Sequence, residues 1–285
     1  MTLTVSAYAK INLFLDICSL RENGYHNILS LMQQVSLHDD ITVSYTPSNE
    51  KKIAIFSENP FVPCDKSNLA YKAADLFPEN GNIEIRIVKR IPISAGLAGG
   101  SADAAATLIA LNALTGNKLS TDELCTIGAH LGADIPFCIK GGACLVEGIG
   151  EILKPTSSMP HFPIVIAKNG EGMSTPAAYK ALDDKYERFT NYVPHTELLD
   201  ILLNSSPNAR ELCQGLYNIF ETVVEPERPF VTETKKIMLY YGAKGAIMSG
   251  SGTSVFGIFD NDDDATAAHQ ALISAGAEAY LCNPK

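Results

Sequence analysis

The chain has 285 residues, 46% hydrophobic and 19% charged, enough for one large globular domain or two of moderate size. Its 22 basic against 32 acidic side chains leave a net charge of −10, which repels polyanions and excludes broad nucleic-acid binding. A small anionic ligand would need local positive groups, for which Lys10, Arg21, Lys89 and Arg90 are candidates.

Residues 3 to 17, LTVSAYAKINLFLDI, mix alternating and continuous apolar runs and predict one or two strands. Asn23-Gly24 at the centre of RENGYH marks a turn. ILSLMQQVSLHDDITVSYT and KKIAIFS continue as strand-like material. SNLAYKAADLF opens with Ser67 as the expected N-cap and spaces Leu69, Ala73 and Leu76 as a helix face. In NIEIRIVKRIPI, Ile83, Ile85 and Ile87 alternate with Glu84 and Arg86, a strand that ends at Pro92.

A glycine-rich loop follows, then a helix with Leu108, Ile109 and Leu111 on its buried side and a stop signal at Gly116. Ser120 and Glu123 form a capping-box pattern for the next helix. DIPFCIKGGACLVEGIGEIL reads as loop, strand and turn. The Pro-rich KPTSSMPHFP, Lys154 to Pro163, marks a boundary, giving expected domains over 1–158 and 159–285. Beyond it, strands (IVIA, AIMSG, SVFGIF) alternate with helical segments (TPAAYKALDDKY, TKKIMLYYGA, DATAAHQALISAG), an α+β pattern.

No stretch approaches the about 18 consecutive apolar residues of a membrane span. The opening residues lack the basic region and cleavage site of a signal peptide. Cys18, Cys64, Cys125, Cys138, Cys144, Cys213 and Cys282 are scattered without a C-x-x-C pair, against a disulfide framework or a zinc knuckle. These features predict a cytoplasmic protein with reduced thiols and neither membrane nor nucleic-acid partners.

The loop RIPISAGLAGGSADAAATLIALNAL carries the chemistry. A Walker loop is ruled out because no Gly-Lys-Ser or Gly-Lys-Thr occurs. The G-x-G-x-x-G fingerprint is absent too, since Gly148-x-Gly150 continues with Glu151, Ile152 and Leu153, and the H-R-D and D-F-G signatures of protein kinases are missing. The loop still has the physics of an anion cradle. Gly96, Gly99 and Gly100 let backbone N–H groups approach a ligand, and Ser101 is the expected cap of a helix whose free N–H groups favour negative charge. A tight strand-to-helix turn explains the same glycines equally well.

The order of residues separates these readings. PISAGLAGGSADAA, Pro92 to Ala105, resembles at every position the ATP-binding loop P-x-x-[GA]-G-L-[GA]-G-G-S-[SA]-[DN]-A-A of the galactokinase, homoserine kinase, mevalonate kinase and phosphomevalonate kinase superfamily, the GHMP kinases. AYAKINLFLDI (Ala7 to Ile17) is similar to its first motif and AIMSGSGTSVFGIF (Ala246 to Phe259) to its third. RENGYHNILSLMQ resembles the R-x-[DN]-G-Y-H-x-[LI] signature of the branch that phosphorylates a cytidine diphosphate-linked methylerythritol of the non-mevalonate isoprenoid pathway; GADIPFCIKGGACLVEGIGEIL and NIFETVV match that branch as well.

The resemblance implies an α+β, two-domain GHMP kinase fold, with an N-terminal domain like ribosomal protein S5 domain 2 and a ferredoxin-like C-terminal domain. ATP and substrate would lie in the cleft between them. It implies ATP and Mg²⁺ as cofactors, a small-molecule cytidine diphosphate substrate, and a monomer or homodimer. Lys10 and Asp134 correspond to the catalytic pair: Asp134 accepts the hydroxyl proton or orients the hydroxyl, and Lys10 holds Asp134 ionised and neutralises charge on the transferring group. Gly96, Leu97, Ala98, Gly99, Gly100 and Ser101, entered through Pro92, cradle the phosphates. Asn68 and Lys89 match positions near the adenine, and the Ser101 hydroxyl is the candidate Mg²⁺ ligand.

For the acceptor, the resemblance assigns Tyr25 and His26 to the cytosine, with Tyr179 on the opposite side of the base. Asn12 is assigned to the methylerythritol hydroxyls, and Thr175, Gly252 and Thr253 complete the substrate site. Without the family, Asp134 is an Asp near a turn before Pro136 and Lys10 a Lys within a strand. Two alternatives stand beside this reading: another GHMP kinase acting on homoserine, mevalonate or a sugar, and a non-catalytic S5-like binding module.

Overall fold

The computed structural model describes residues 1–204 and 208–285. In chain order its first half contains β1 (Thr2–Leu20), β2 (His26–Pro47), β3 (Lys52–Ser57), α1 (Leu69–Leu76), β4 (Gly81–Val88), α2 (Gly99–Leu114), α3 (Thr121–Ala129), α4 (Ile135–Lys140), β5 (Ala143–Gly148) and β6 (Ile152–Thr156). The second half contains β7 (Ile164–Lys168), α5 (Thr175–Lys185), α6 (Thr196–Asn204), α7 (Ala209–Leu212), β8 (Tyr217–Asn218), α8 (Glu221–Val224), α9 (Pro229–Tyr240), β9 (Gly245–Met248), β10 (Val255–Ile258), α10 (Asp262–Ser274) and β11 (Glu278–Cys282). Two compact units form, one from residues 1–9, 37–93 and 98–141, the other from 10–36, 94–97 and 142–285. Both are discontinuous because β1 and β2, with 19 and 22 residues, each supply segments to both.

In the first unit, β4 lies between β2 and β3. It pairs antiparallel with β2, with Val43 opposite Ile85, and parallel with β3, reached through α1. The alternation read from the sequence is the burial pattern: Ile83, Ile85 and Ile87 are all buried, each contributing roughly 1.5–3 kcal/mol of transfer free energy. Helix α2 is apolar almost all round, with Ala102, Ala104, Ala105, Ala106, Leu108, Ala110 and Leu111 buried and Ile109 half-buried. Small side chains let it approach α1 and α4 closely.

Three local expectations are revised. Helix α1 is capped by Asn68, not Ser67, because the Asn68 carboxamide accepts from Ala70 N. Ala98, in the left-handed region (φ 57°, ψ 30°), caps α2 without a side-chain bond, and Ser101 is the third helical residue. IPFCIK is a helix, since Pro136 sits in its first turn, where a missing N–H costs nothing. The capping box at Ser120 and Glu123 forms as read.

The second unit contains a four-stranded antiparallel sheet of order β11-β7-β10-β9, packed by α9 and α10. Central strand β7 buries Ile164, Val165, Ile166 and Ala167 completely. The same unit pairs β2 with β5 from Ile28 to Gln33, β5 with β6, and β1 in parallel with β8 at Phe14 and Leu15. Among the described residues no helix is long and apolar enough to cross a membrane.

Candidate active site

In the second unit the three motif regions meet at the backbone. Lys10, on β1, is 4% exposed. Its amide donates to Leu97 O (3.2 Å), and its Nζ donates to Asn12 Oδ1 (2.7 Å) and Gly96 O (3.1 Å). Asn12 Oδ1 also accepts from Gly250 N (3.0 Å), while its Nδ2 donates to Ser30 Oγ (2.9 Å). Ser249 Oγ donates to Gly96 O (3.1 Å), and Ser254 N to Ala95 O (3.2 Å). The two glycine loops lie too close for side chains. A Cβ on Gly96 (φ 76°) would stand 2.1 Å from Ser249 O, and one on Gly250 (φ 59°) 2.8 Å from Gly96 O.

Among the described residues Lys10 has only neutral hydrogen-bond partners. Carbonyl and carboxamide oxygens satisfy two of its three N–H groups and leave its charge uncancelled, so the site favours an anion. Around the Gly250 loop, Thr253 is 1% exposed and its Oγ1 has no hydrogen-bond partner among the described residues. Gly252 is held at φ 96°, where a Cβ would meet Met248 Sδ at 2.6 Å. Thr175, the first residue of α5, bonds Ser251 through the two hydroxyls (2.8 Å).

Two supports of the loop were not singled out from the sequence. Asn218 Nδ2 donates to Met248 O (2.7 Å) and Gly250 O (2.8 Å), and Glu221 Oε1 accepts from Met248 N (2.8 Å). Lys235 bridges Glu221 and Glu225. The signal was a polar Asn and Glu inside the mostly apolar NIFETVV.

In the first unit, α2 begins with unpaired donors. Its first intrahelical bond runs from Ala102 N to Ala98 O (2.8 Å), so the amides of Gly99, Gly100 and Ser101 have no intrahelical acceptor and form the positive end of the helix dipole. A Cβ on Gly99 would lie 2.9 Å from Lys89 Nζ and 3.0 Å from Ile91 Cγ2, whereas one on Gly100 meets only Leu69, at 3.6 Å. Gly99 is therefore required by packing, and Gly100 leaves its backbone open. Pro92 is buried at the loop's entry.

Lys89 sits between two buried carboxylates, Asp39 Oδ2 (2.6 Å) and Asp103 Oδ2 (2.8 Å). Asp39 Oδ1 accepts from the amides of Arg90 and Ile91. Asp103 Oδ1 has no partner among the described residues. Burial pushes the Asp103 carboxyl up to about 7 against the pull of Lys89, and the neighbouring Asp39 charge pushes the same way. Lys89 in turn is raised: burial disfavours its charge, and the two carboxylates outweigh it. Neither Asp39 nor Asp103 was assigned a role from the sequence.

Asn68 uses both ends of its carboxamide locally, accepting from Ala70 N and donating to Pro63 O (2.8 Å each). Asp134 immediately precedes α4, is half-buried, and makes no side-chain bond to that helix.

At the start of β2, in the second unit, the turn at Gly24 (φ 83°) leaves Tyr25 60% exposed and tucks His26 in. The His26 ring stacks on Tyr179 (centroids 4.7 Å apart, 29° between planes) and meets the edge of Phe189 at 5.6 Å. Its Nε2 lies 2.7 Å from Asp183 Oδ1.

Comparison with known proteins agrees with these loops. The GHMP kinases N terminal domain matches residues 68–142 and the GHMP kinases C terminal domain residues 200–278. The 4-diphosphocytidyl-2-C-methyl-D-erythritol kinase of Caldicellulosiruptor saccharolyticus is 44% identical over 273 residues, 94% of this chain and 92% of that protein. That of Acetivibrio thermocellus is 41% identical over 284 residues, 98% of each. The chain belongs to the 4-diphosphocytidyl-2-C-methyl-D-erythritol kinase family of GHMP kinases. The crystal structure of a 4-(cytidine 5'-diphospho)-2C-methyl-D-erythritol kinase has the same fold, with a TM-score of 0.82 at 32% identity over 99% of each chain.

In this GHMP kinase the structure brings Lys10 and Asn12 together with Gly96 and the third motif, Thr175 with Ser251, Gly99 with Lys89, and His26 with Tyr179. It accounts for Asn12, Asn68 and Lys89 by protein partners alone. Tyr25 stands apart at the surface, with its ring free to meet a ligand.

Proposed function

We propose that this GHMP kinase transfers the γ-phosphoryl group of ATP to the 2-hydroxyl of 4-diphosphocytidyl-2-C-methyl-D-erythritol, in the cytoplasm, as a step of the non-mevalonate isoprenoid pathway. The observation that carries the reading is the Lys10 ammonium, buried and bonded to a carboxamide and a carbonyl oxygen against the two glycine loops. Full-length relatives named for this substrate and the Tyr25-His26 turn support the choice of acceptor.

The acceptor oxygen attacks phosphorus, the bond to the ADP oxygen breaks, and the hydroxyl proton leaves. We assign Asp134 to accept or orient that proton. Lys10 offsets charge on the transferring group, and the free amides at the start of α2 hold phosphate oxygens. Tyr25 and Tyr179 supply aromatic faces for the cytosine and His26 its polar contact; Thr253 and Thr175 offer hydroxyls to the substrate. Mg²⁺ would shield phosphate charge. The Ser101 hydroxyl, a hard oxygen in the first turn of α2, fits that ion, which keeps several waters and binds through phosphates with few protein ligands.

The test is ADP release with Mg·ATP, comparing 4-diphosphocytidyl-2-C-methyl-D-erythritol with homoserine, mevalonate and galactose, and Asp134→Ala as control. Turnover confined to the cytidylyl acceptor and lost in the variant is expected. Equal turnover with another acceptor would overturn the substrate assignment.

A further inference from the structure

The contacts around His26 say more than that an imidazole faces a base. Helix α5 presents two residues to the ring from one face, four positions apart: Tyr179 stacks on it and Asp183 bonds Nε2 at 2.7 Å. Phe189, 6% exposed, closes the edge at 5.6 Å. The ring therefore has one plane and one orientation about its axis.

An ionised carboxylate only accepts hydrogen bonds, so the short contact puts a hydrogen on Nε2. In the neutral ring a hydrogen on Nε2 leaves Nδ1 with a lone pair, and Nδ1 has no hydrogen-bond partner among the described residues. We propose that Asp183 is a positioning residue that fixes His26 as the Nε2–H tautomer, so that Nδ1 reads the base as an acceptor and selects cytosine over uracil. The proposal rests on the assignment of His26 to the base made above. Cytosine offers its 4-amino group as a donor to such an acceptor. Uracil carries a carbonyl oxygen at that position, and two acceptors then face each other without a proton between them.

Asp183 needs no contact with the substrate for this role. Its side chain is 26% exposed, against 7% for His26, and its neighbours on α5 include Leu182, which is fully buried. The helix is therefore anchored beside the carboxylate, which keeps the Asp183–His26 geometry from drifting.

Nitrogen-15 NMR of the neutral His26 ring in the full-length protein reads the tautomer directly. A protonated Nε2 with a bare Nδ1 is expected; a protonated Nδ1 would overturn the proposal. Asp183→Asn can present either an amide donor or a carbonyl to the ring, so it should give mixed tautomers. The kcat/KM ratio for the cytidylyl acceptor over its uridylyl analogue should fall at least about tenfold, with KM for ATP within about twofold of the starting value.

His26→Ala separates the two levels of the argument. A cytidine preference that survives His26→Ala would overturn the assignment of His26 to the base, and the present proposal with it. A preference lost in His26→Ala but held within about twofold in Asp183→Asn would overturn only the role of Asp183. The NMR measurement on the unaltered protein decides the matter even where a variant fails to fold.

Discussion

Two lysines, Lys10 and Lys89, are almost equally hidden from water and are held in opposite ways. Lys10 bonds a carboxamide oxygen and a carbonyl. Lys89 bonds two carboxyl groups, themselves buried, which cancel its charge. A buried charge among neutral dipoles is costly to the fold and available to an anion; a buried charge between carboxylates is structural. The same residue type thus stands among neutral dipoles in one unit and is locked between carboxylates in the other, and the partners decide which.

The largest expected effect concerns Lys10. Its removal leaves no orphan, because Asn12 Oδ1 retains Gly250 N and Gly96 O retains Ser249 Oγ. Lys10→Met should therefore lower kcat by about 10³-fold while urea-denaturation stability stays within about 1 kcal/mol. A large loss of stability would place Lys10 with Lys89. Lys89→Met should do the reverse. It strips Asp103 of the ammonium that it bonds and should cost about 3–5 kcal/mol of stability, read from the same urea curves.

Gly99→Ala sharpens the contrast at smaller scale. Its methyl group would press on the Lys89 ammonium, which the two carboxylates keep from moving away, so a loss of about 1–2 kcal/mol is expected. A neutral effect would mean that the triad yields.

The mildest test is a pH series. Burial raises the folded-state Asp103 carboxyl to about 7 from its ordinary 3.8, so between those values the folded chain binds more protons than the unfolded one. The contribution of protonated Asp103 to stability is then complete below about 4 and is lost as pH rises through about 7. Asp103→Asn should flatten that decline, so its urea midpoint gains on the original protein as pH rises across the window. Parallel curves would show that Asp103 does not titrate there.

What was legible from residues alone was local or motif-like. The alternation of Ile83, Ile85 and Ile87 and the capping box at Ser120 depend on neighbours within a few positions. The glycine loops were legible because Gly96 and Gly250 occupy backbone conformations and approaches that a side chain would forbid. Family membership followed from those loops and from Lys10, Asp134 and the Tyr25-His26 turn, which keep a fixed order along the chain.

The start of α2 shows the limit of local reading. A serine after two glycines looks like a cap, yet the left-handed turn falls at Ala98, where the chain packs against Lys89 and Ile91. By itself, then, the sequence determined most of the strands, the main helices and the identity of the glycine loops, but not β6, β8 or β11, because period, turn chemistry and glycine geometry act over short distances. Only the tertiary structure decided what each polar side chain does. Asn12 meets Gly250, Lys89 meets Asp39, and His26 meets Asp183, pairs 238, 50 and 157 positions apart. A charge or a carboxamide takes its role from the partner that folding brings to it, and no local pattern carries that information.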